Sequence, residues 1–286
     1  MAYQYLTKEN IKHFIQSALA EDIREGDHSS LGSIPEGTQN TAQLIIKGDG
    51  ILAGMEMAEH IFKAVDENLT VEAFKRDGDL VKAGEIGLTV YGSAVSILSA
   101  ERLVLNCLQR MSGIATYTHN LNQLINHTSA KLLDTRKTTP NFRIAEKWAV
   151  SIGGGQNHRF GLFDMVMLKD NHNDFAGGIT KAVQSTLSYL KQNNLDLRIE
   201  VETRNLEEVK EALAVGGVDV IMLDNMSISD MKAAVTIIDG KCETEASGGI
   251  TEDTIKSIAE TGVDYISVGA LTHSYKSLDI SLKAVS

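Results

Sequence analysis

Cysteine and proline are scarce in this chain of 286 residues, with two of each, and positive charge falls well short of negative. The two cysteines, Cys107 and Cys242, lie far apart with no CxxC or CxxH companion, so neither a disulfide framework nor a zinc site is signalled. Buried, reduced thiols are expected. Two prolines argue against long disordered linkers. No run approaches the roughly 18 apolar residues of a membrane span, and Lys8, Glu9 and Lys12 interrupt the first apolar stretch, which breaks any signal-peptide core. Cytoplasmic residence follows as an expectation. A formal net charge of −11 disfavours nucleic acid and anionic lipid as partners, because either polyanion meets a repulsive mean field. An anionic ligand therefore needs a local basic island.

What is present is an ordinary globular composition, 43% hydrophobic and 23% charged, in a chain long enough for one barrel domain or a barrel with a smaller partner. Residues 5–20 read as a helix, with Ile11, Phe14, Ile15 and Leu19 at helical spacing and Thr7 with Asn10 at its start. From 41 to 95 come short β-type runs separated by Gly-Asp and Asp-Gly turns, which predict a small antiparallel-rich sheet. The stretch from Ile97 to about Ile125 is helical in pattern, with Gly113 expected as a break or kink.

After residue 130 the runs LLDT, MVMLKD, LRIEVET, VDVIMLD, CETEAS and DYISVGA recur, most of them with helical segments between. Strands alternating with helices imply a parallel sheet. Asn205, Ser227 and Thr251 stand where helix caps are needed, and Gly216-Gly217 where a helix ends. About six such units predict an α/β barrel of the TIM type, incomplete in its strand count.

Catalytic groups of such barrels sit at the C-terminal ends of strands. Here those ends are Asp134-Thr135-Arg136-Lys137, Lys169-Asp170-Asn171-His172, Glu202, Asp224-Asn225, Ser247-Gly248-Gly249 and Gly269. Charged residues also mark where any strand leaves the core, but six loaded ends in register point to a site. Residues 131–172 hold seven Lys/Arg against four Asp/Glu, and add His158 and His172. This is the basic island. Arg136 and Arg159 suit forked hydrogen bonding to carboxylates, and Lys137 and Lys169 act as compact charges. Arg143 and Lys147 lie beside Glu146 in NFRIAEKWAV and are expected on a solvated helix face. Gly153-Gly154-Gly155 reads as a flexible turn that delivers Gln156, Asn157, His158 and Arg159. Glu202 and Asp224 end neighbouring strands and form a pair of hard oxygen ligands suited to Mg²⁺. Ser247-Gly248-Gly249 and Gly269 suit a phosphate cup built from backbone N–H groups, with glycine packing between strands as the alternative.

Several strings in this order resemble one family: LDTRKTTP (133–140), GGGQNHRFGL (153–162), LKDNH (168–172), IEVE (199–202), LDN (223–225), EASGGI (245–250) and SVGALTHS (267–274). LAEDIREGD (19–27) and SAERLVLNCLQRMSGIAT (99–116) extend the match upstream. The family is quinolinate phosphoribosyltransferase, and the resemblance covers nearly the whole chain. It implies an N-terminal α/β sandwich over residues 1–112 joined to an incomplete α/β barrel over 113–274, with a tail from about 275 to 286 packing back on the first domain. It implies conversion of quinolinate and phosphoribosyl pyrophosphate, with Mg²⁺, to nicotinate mononucleotide, CO2 and pyrophosphate in de novo NAD synthesis. Carried onto matching positions, Arg136, His158, Arg159 and Lys169 bind the quinolinate carboxylates, and Arg102 reaches in from the second subunit of a homodimer. Lys137 lies between the two substrates. Glu202 and Asp224 serve the metal and the ribose, and Ser247, Gly248, Gly249, Gly269 and His273 the 5′-phosphate. Lys137, Lys169, Glu202 and Asp224 are the catalytic set. Two loops depart from the family pattern: His28-Ser29 follows Gly26-Asp27 where Thr is common, and Asn141 follows Pro140 where Gly is common.

Overall fold

The computed structural model describes residues 5–285. Its elements begin with α1 (Lys8–Asp22), α2 (His28–Ser33), β1 (Gln39–Ile46), β2 (Gly50–Ile51), α3 (Met55–Val65), β3 (Thr70–Ala73), β4 (Leu80–Val81), β5 (Ile86–Ser93) and α4 (Ala94–Ile125). They continue with β6 (Lys131–Leu133), α5 (Arg143–Ile152), β7 (Val166–Leu168), α6 (Asp170–Ala176), α7 (Ile179–Gln192), β8 (Ile199–Thr203) and α8 (Leu206–Val215). The last are β9 (Val220–Asp224), α9 (Ile228–Ile238), β10 (Glu243–Ser247), α10 (Glu252–Ala259), β11 (Tyr265–Ser267), α11 (Ala270–His273) and β12 (Ile280–Ala284). The chain divides into two compact units. The first is the chain up to His119 with Lys137–Gly154 and the segment from Ala270 onward; the second is Asn120–Arg136 with Gly155–Gly269.

The first unit is built on a four-stranded antiparallel sheet in the order β12-β1-β5-β3. Leu44, Ile46, Leu88 and Val90 are completely buried, each worth roughly 1.5–3 kcal/mol of removed apolar surface. Helix α1 starts as its sequence indicates, with the Thr7 hydroxyl accepting from the backbone N–H of Asn10 at 3.1 Å. Helix α3 is an addition to the expected β-type segment. Its N-cap is Gly54 at φ +101°, with no side chain to offer, and the carboxylate of Asp77 caps it instead. That carboxylate accepts from the N–H groups of Gly54, Met55 and Glu56 at 2.6, 2.8 and 3.2 Å.

Two expectations are corrected here. Helix α4 runs unbroken for 32 residues through Gly113. The glycine is there for closeness instead of bending: a Cβ would meet the carbonyl oxygen of Lys276 and lie 2.9 Å from the Cα of Ser277. Helix α5 has no solvated face across Glu146 and Lys147. Seven consecutive residues, Ile144 to Val150, are buried, and both charged members are completely so. A helix buried all round must satisfy its charges inside the protein, and Glu146 does so through Arg110 and Thr139. Arg143 is half-buried, its Nε donating to Thr138 Oγ1 at 2.8 Å.

The second unit carries the six expected strands in one parallel sheet ordered β6-β11-β10-β9-β8-β7. β6 and β7 are its outer strands, and beyond β6 a single parallel bridge joins Leu133 to Gln156. The ring of strands is incomplete, as the strand count implied. Local chemistry starts the helices: Asn205 accepts from Glu208 N–H, Ser227 from Asp230 N–H, and Gly216 at φ +71° ends α8. Cys107 is buried, as expected of a structural thiol, whereas Cys242 is only half-buried. Among the described residues no helix is long and apolar enough to cross a membrane.

Candidate active site

Residues paired laterally across a parallel sheet project from the same face. Glu200 pairs with Val220, Glu202 and Glu245 both pair with Met222, and Ser247 pairs with Asp224. Glu200, Glu202, Asp224, Glu245 and Ser247 therefore share one face, three strands wide. A barrel interior is ordinarily filled by Val, Ile and Leu. Acidic residues here, with Glu200 at 0%, Glu245 at 1% and Glu202 at 9% exposure, make this face a place for chemistry.

The segment Gln156–Arg159 is fixed by the end of β6. The Gln156 backbone bonds to Leu132 and Asp134, and the buried Asp134 carboxylate accepts from Asn157 Nδ2 at 2.6 Å and from the His158 N–H at 2.9 Å. Asp134 is thus an anchor, and the glycine run before Gln156 is not merely flexible. Within the first unit Gly153 caps α5, where a Cβ would lie 2.8 Å from the Cβ of Thr118.

His158 is committed at both ring nitrogens. Nε2 lies 2.7 Å from Glu200 Oε2 and 3.5 Å from Glu245 Oε2, and Nδ1 accepts the Arg159 N–H at 2.7 Å. Burial pushes the Glu200 carboxyl up to about 7 and the Glu245 carboxyl up to about 8, the latter raised further by its negative neighbour Glu200. The Arg159 guanidinium donates from Nη1 to the Met165 carbonyl at 3.1 Å, and its Nε is buried with no partner among the described residues. Burial and then the adjacent Arg136 cation depress its pKa. Two guanidiniums held close against their mutual repulsion describe a receptor for an anion with more than one negative charge.

At the ends of β8 and β9 the charge is reversed. Glu202 is raised in pKa by burial and next by the Asp224 carboxylate, with the Asp170 N–H at 3.4 Å and the Lys169 cation opposing. Lys169 itself is exposed at the end of β7. Beside them Gly248 sits at φ +101° and Gly249 at φ +59°, a backbone path that favours glycine. Asn225, also at positive φ, hooks back by donating its N–H to the Ser247 carbonyl at 2.9 Å and its side-chain amide to Asp224 at 2.8 Å.

The remaining candidates belong to the first unit. Lys137 and His273 line one cavity of about 470 Å³ together with Arg110, Thr139 and Tyr275. The Thr272 hydroxyl donates to the Lys137 carbonyl at 2.8 Å. Arg102 is exposed on α4 and is not among the residues lining that cavity. The two departing loops are also accounted for. Asp27 caps α2 by accepting from Ser30 N–H at 3.1 Å, leaving His28 and Ser29 exposed. Asn141 sits at φ +62°, where glycine is the easier residue and asparagine the next.

Comparison with known proteins identifies the family. Residues 25–112 match the quinolinate phosphoribosyl transferase N-terminal domain, and residues 114–283 match the corresponding C-terminal domain. The chain belongs to the quinolinate phosphoribosyl transferase family. Among relatives in this family, the nicotinate-nucleotide pyrophosphorylase [carboxylating], chloroplastic, of Oryza sativa subsp. japonica is 50% identical, covering 96% of this chain and 77% of that one. The probable nicotinate-nucleotide pyrophosphorylase [carboxylating] of Bacillus subtilis is 41% identical over 95% of this chain and 92% of its own. The solved nicotinate-nucleotide pyrophosphorylase of Francisella tularensis superposes with a TM-score of 0.90 at 41% identity, covering 98% of both chains. Its likeness carries the family fold, a sandwich domain followed by a barrel-like one.

Glu200 and Glu245 escaped the reading of the sequence as site residues. IEVET and CETEAS alternate like half-exposed strands, and only the surrounding fold buries their acidic positions. The available signal was the paradox itself, glutamates alternating with Ile199 and Val201 in one strand and with Thr244 and Ala246 in the other, in a sheet flanked by helices.

Proposed function

We infer that this chain transfers the phosphoribosyl group of phosphoribosyl pyrophosphate to the ring nitrogen of quinolinate, giving nicotinate mononucleotide, CO2 and pyrophosphate for NAD synthesis. The observation that carries this reading is the close pair Arg136 and Arg159, with the buried Arg159 Nε lacking a partner among the described residues. A pyridine with two adjacent carboxylates supplies the two negative charges and the planar acceptors that such a pair selects. Arg136, Arg159, Lys169 and His158 surround the dicarboxylate in this reading.

The C1′–O bond to pyrophosphate breaks as positive charge develops on the ribose, and the pyridine nitrogen forms the new bond to C1′. Binding both carboxylates aims that nitrogen at C1′, which removes much of the entropic cost of the encounter. Once alkylated, the nitrogen is a pyridinium whose positive charge stabilises the electron pair left on the adjacent ring carbon when its carboxylate departs as CO2, and that carbon then accepts a proton. The substrate is its own electron sink, so no organic cofactor is needed for the decarboxylation.

Glu202 and Asp224 fit Mg²⁺: they are two hard carboxylates, and the crowding of charge that raises the proton affinity of Glu202 is relieved by a divalent cation. When bound, Mg²⁺ supplies neutralisation of the departing pyrophosphate oxygens. Ser247, Gly248, Gly249, Gly269 and His273 receive the 5′-phosphate, and Lys137 stands between the substrates. The family's domain division near residue 112, a homodimer that supplies Arg102 in trans, and a cytoplasmic location complete the reading. The unpaired thiols of Cys107 and Cys242 support a reducing compartment, although the rice relative is named as chloroplastic.

The test is release of CO2 and pyrophosphate from quinolinate and phosphoribosyl pyrophosphate with Mg²⁺ by purified, folded protein. Absence of quinolinate-dependent CO2 overturns the reading. Arg159→Ala weakens quinolinate binding by about 2–5 kcal/mol, the range for truncating one partner of a desolvated charge pair. Mixed Arg102→Ala and Arg159→Ala subunits regain activity if Arg102 acts in trans, and their failure to do so places it in cis.

A further inference from the structure

Glu200 and Glu245 have no part in the reaction as assigned above, yet they are among the most deeply buried carboxylates of the second unit. They stand on β8 and β10, with β9 between them, and both reach the same atom. Nε2 of His158 is 2.7 Å from Glu200 Oε2 and 3.5 Å from Glu245 Oε2. The other ring nitrogen, Nδ1, accepts the backbone N–H of Arg159 at 2.7 Å. An imidazole nitrogen that accepts a hydrogen bond carries no proton, so the ring's hydrogen resides on Nε2 and is donated toward the glutamates. Moving the hydrogen to Nδ1 would set a bare nitrogen against Glu200 and an N–H against the N–H of Arg159, and turning the ring over would put C–H groups in place of both nitrogens. The carboxylates on one side and the Arg159 N–H on the other together fix the tautomer and the orientation of His158. His158 in turn holds the backbone of Arg159, whose side chain is otherwise fixed by the Met165 carbonyl.

We propose that Glu200 and Glu245 are positioning residues that lock His158 in its Nε2–H tautomer beneath Arg159 and so set the geometry of the dicarboxylate end of the site. The proposal rests on the reading of Arg159 as a ligand of quinolinate. Loss of the lock misplaces a guanidinium that must meet a planar carboxylate, and small misplacements of such groups cost one to two orders of magnitude. The phosphoribosyl end is built from Glu202, Asp224 and the glycines after β10, and does not depend on the His158 ring.

Two measurements on the full chain decide it. The ¹⁵N–¹H correlation spectrum of the histidine rings reports tautomers directly and needs no turnover, so it stands even if the functional reading fails. His158 shows the Nε2–H pattern in the parent chain and loses it in Glu200→Ala. An Nδ1–H pattern in the parent overturns the proposal, as does the same Nε2–H pattern in parent and folded Glu200→Ala. In steady-state kinetics, Glu200→Ala and Glu245→Ala raise KM for quinolinate about tenfold or more, and KM for phosphoribosyl pyrophosphate stays within about twofold. Glu200→Gln, whose amide oxygen still accepts from Nε2–H, recovers most of the quinolinate affinity. Equal loss at both substrates, or no recovery by glutamine, makes the two residues ordinary core members and overturns the proposal. If the alanine variants do not fold, the parent spectrum and the glutamine variant decide alone.

Discussion

Arg110 and Glu146 meet at 3.4 Å and hold Thr139 between them, the Arg110 Nη2 donating to its hydroxyl at 3.0 Å and its own N–H donating to Glu146 Oε2 at 2.9 Å. The same guanidinium lies over the rings of Phe142 at 5.1 Å and Tyr275 at 5.6 Å. One cation therefore ties down the loop that follows Lys137.

Replacing it, Arg110→Ala, leaves the Glu146 carboxylate buried with the N–H and hydroxyl of Thr139 to answer it and no cation. The full cost of orphaning a buried charge is discounted because Arg110 is 38% exposed, so the loss in unfolding free energy is about 1–3 kcal/mol. Chemical denaturation measures it. The looser loop also lowers kcat, and an unchanged kcat in the folded variant separates Arg110 from Lys137.

Gly113→Ala runs against helix propensity. In an isolated helix alanine is favoured by roughly 1 kcal/mol, but here the added methyl meets the backbone of Lys276 and Ser277. The variant is destabilised by about 1–3 kcal/mol, the usual cost of overpacking against atoms that cannot move aside. A thermal midpoint equal to or above that of the parent refutes the close approach.

Gly248→Ala strains the turn after β10 twice, through its φ of +101° and through collision of the new Cβ with the side-chain amide of Asn225. With about 1–3 kcal/mol at stake, KM for phosphoribosyl pyrophosphate rises roughly tenfold or more. Quinolinate affinity, measured separately by calorimetry, stays near that of the parent chain.

Stability falls as pH rises through neutrality. The Glu245 carboxyl is held up to about 8 and that of Glu200 up to about 7. Between the ordinary carboxylate range and those values the folded chain keeps protons that the unfolded chain has lost. Their contribution is complete below about pH 4.5 and is lost as pH climbs through 7 to 8, at about 1 kcal/mol per pH unit for each proton. Urea midpoints from pH 5 to 9 follow this decline in the parent and a shallower one in Glu245→Gln. Parallel curves would falsify the assignment of the proton to Glu245.

The barrel strands were legible because each is a short apolar run flanked by helical segments with their own caps at Asn205, Ser227 and Thr251. Local chemistry announces itself in sequence. Helix α3 was not legible because its cap, Asp77, arrives from 22 residues beyond Met55, and a sequence window sees only Gly54. Lys147 misled for a related reason: a charged residue next to another charged residue looks solvated until the packing of the whole helix is known. Glu200 and Glu245 belong to the same class, since burial is a property of the sheet and not of the strand. At the site, the basic residues were visible as an excess over a negative background, whereas the carboxylates behind His158 were hidden by that background.

The inner face of the parallel sheet has a consequence for how this chain can change over generations. Glu200, Glu202 and Glu245 occupy buried positions that leucine or valine ordinarily fill in such barrels, so selection for robustness alone has an easy route there and the needs of the site oppose it. A descendant released from its reaction would be expected to drift toward an oily interior, becoming sturdier as it falls silent. Acidity at these three positions is thus a sign of continued use, readable in a single chain.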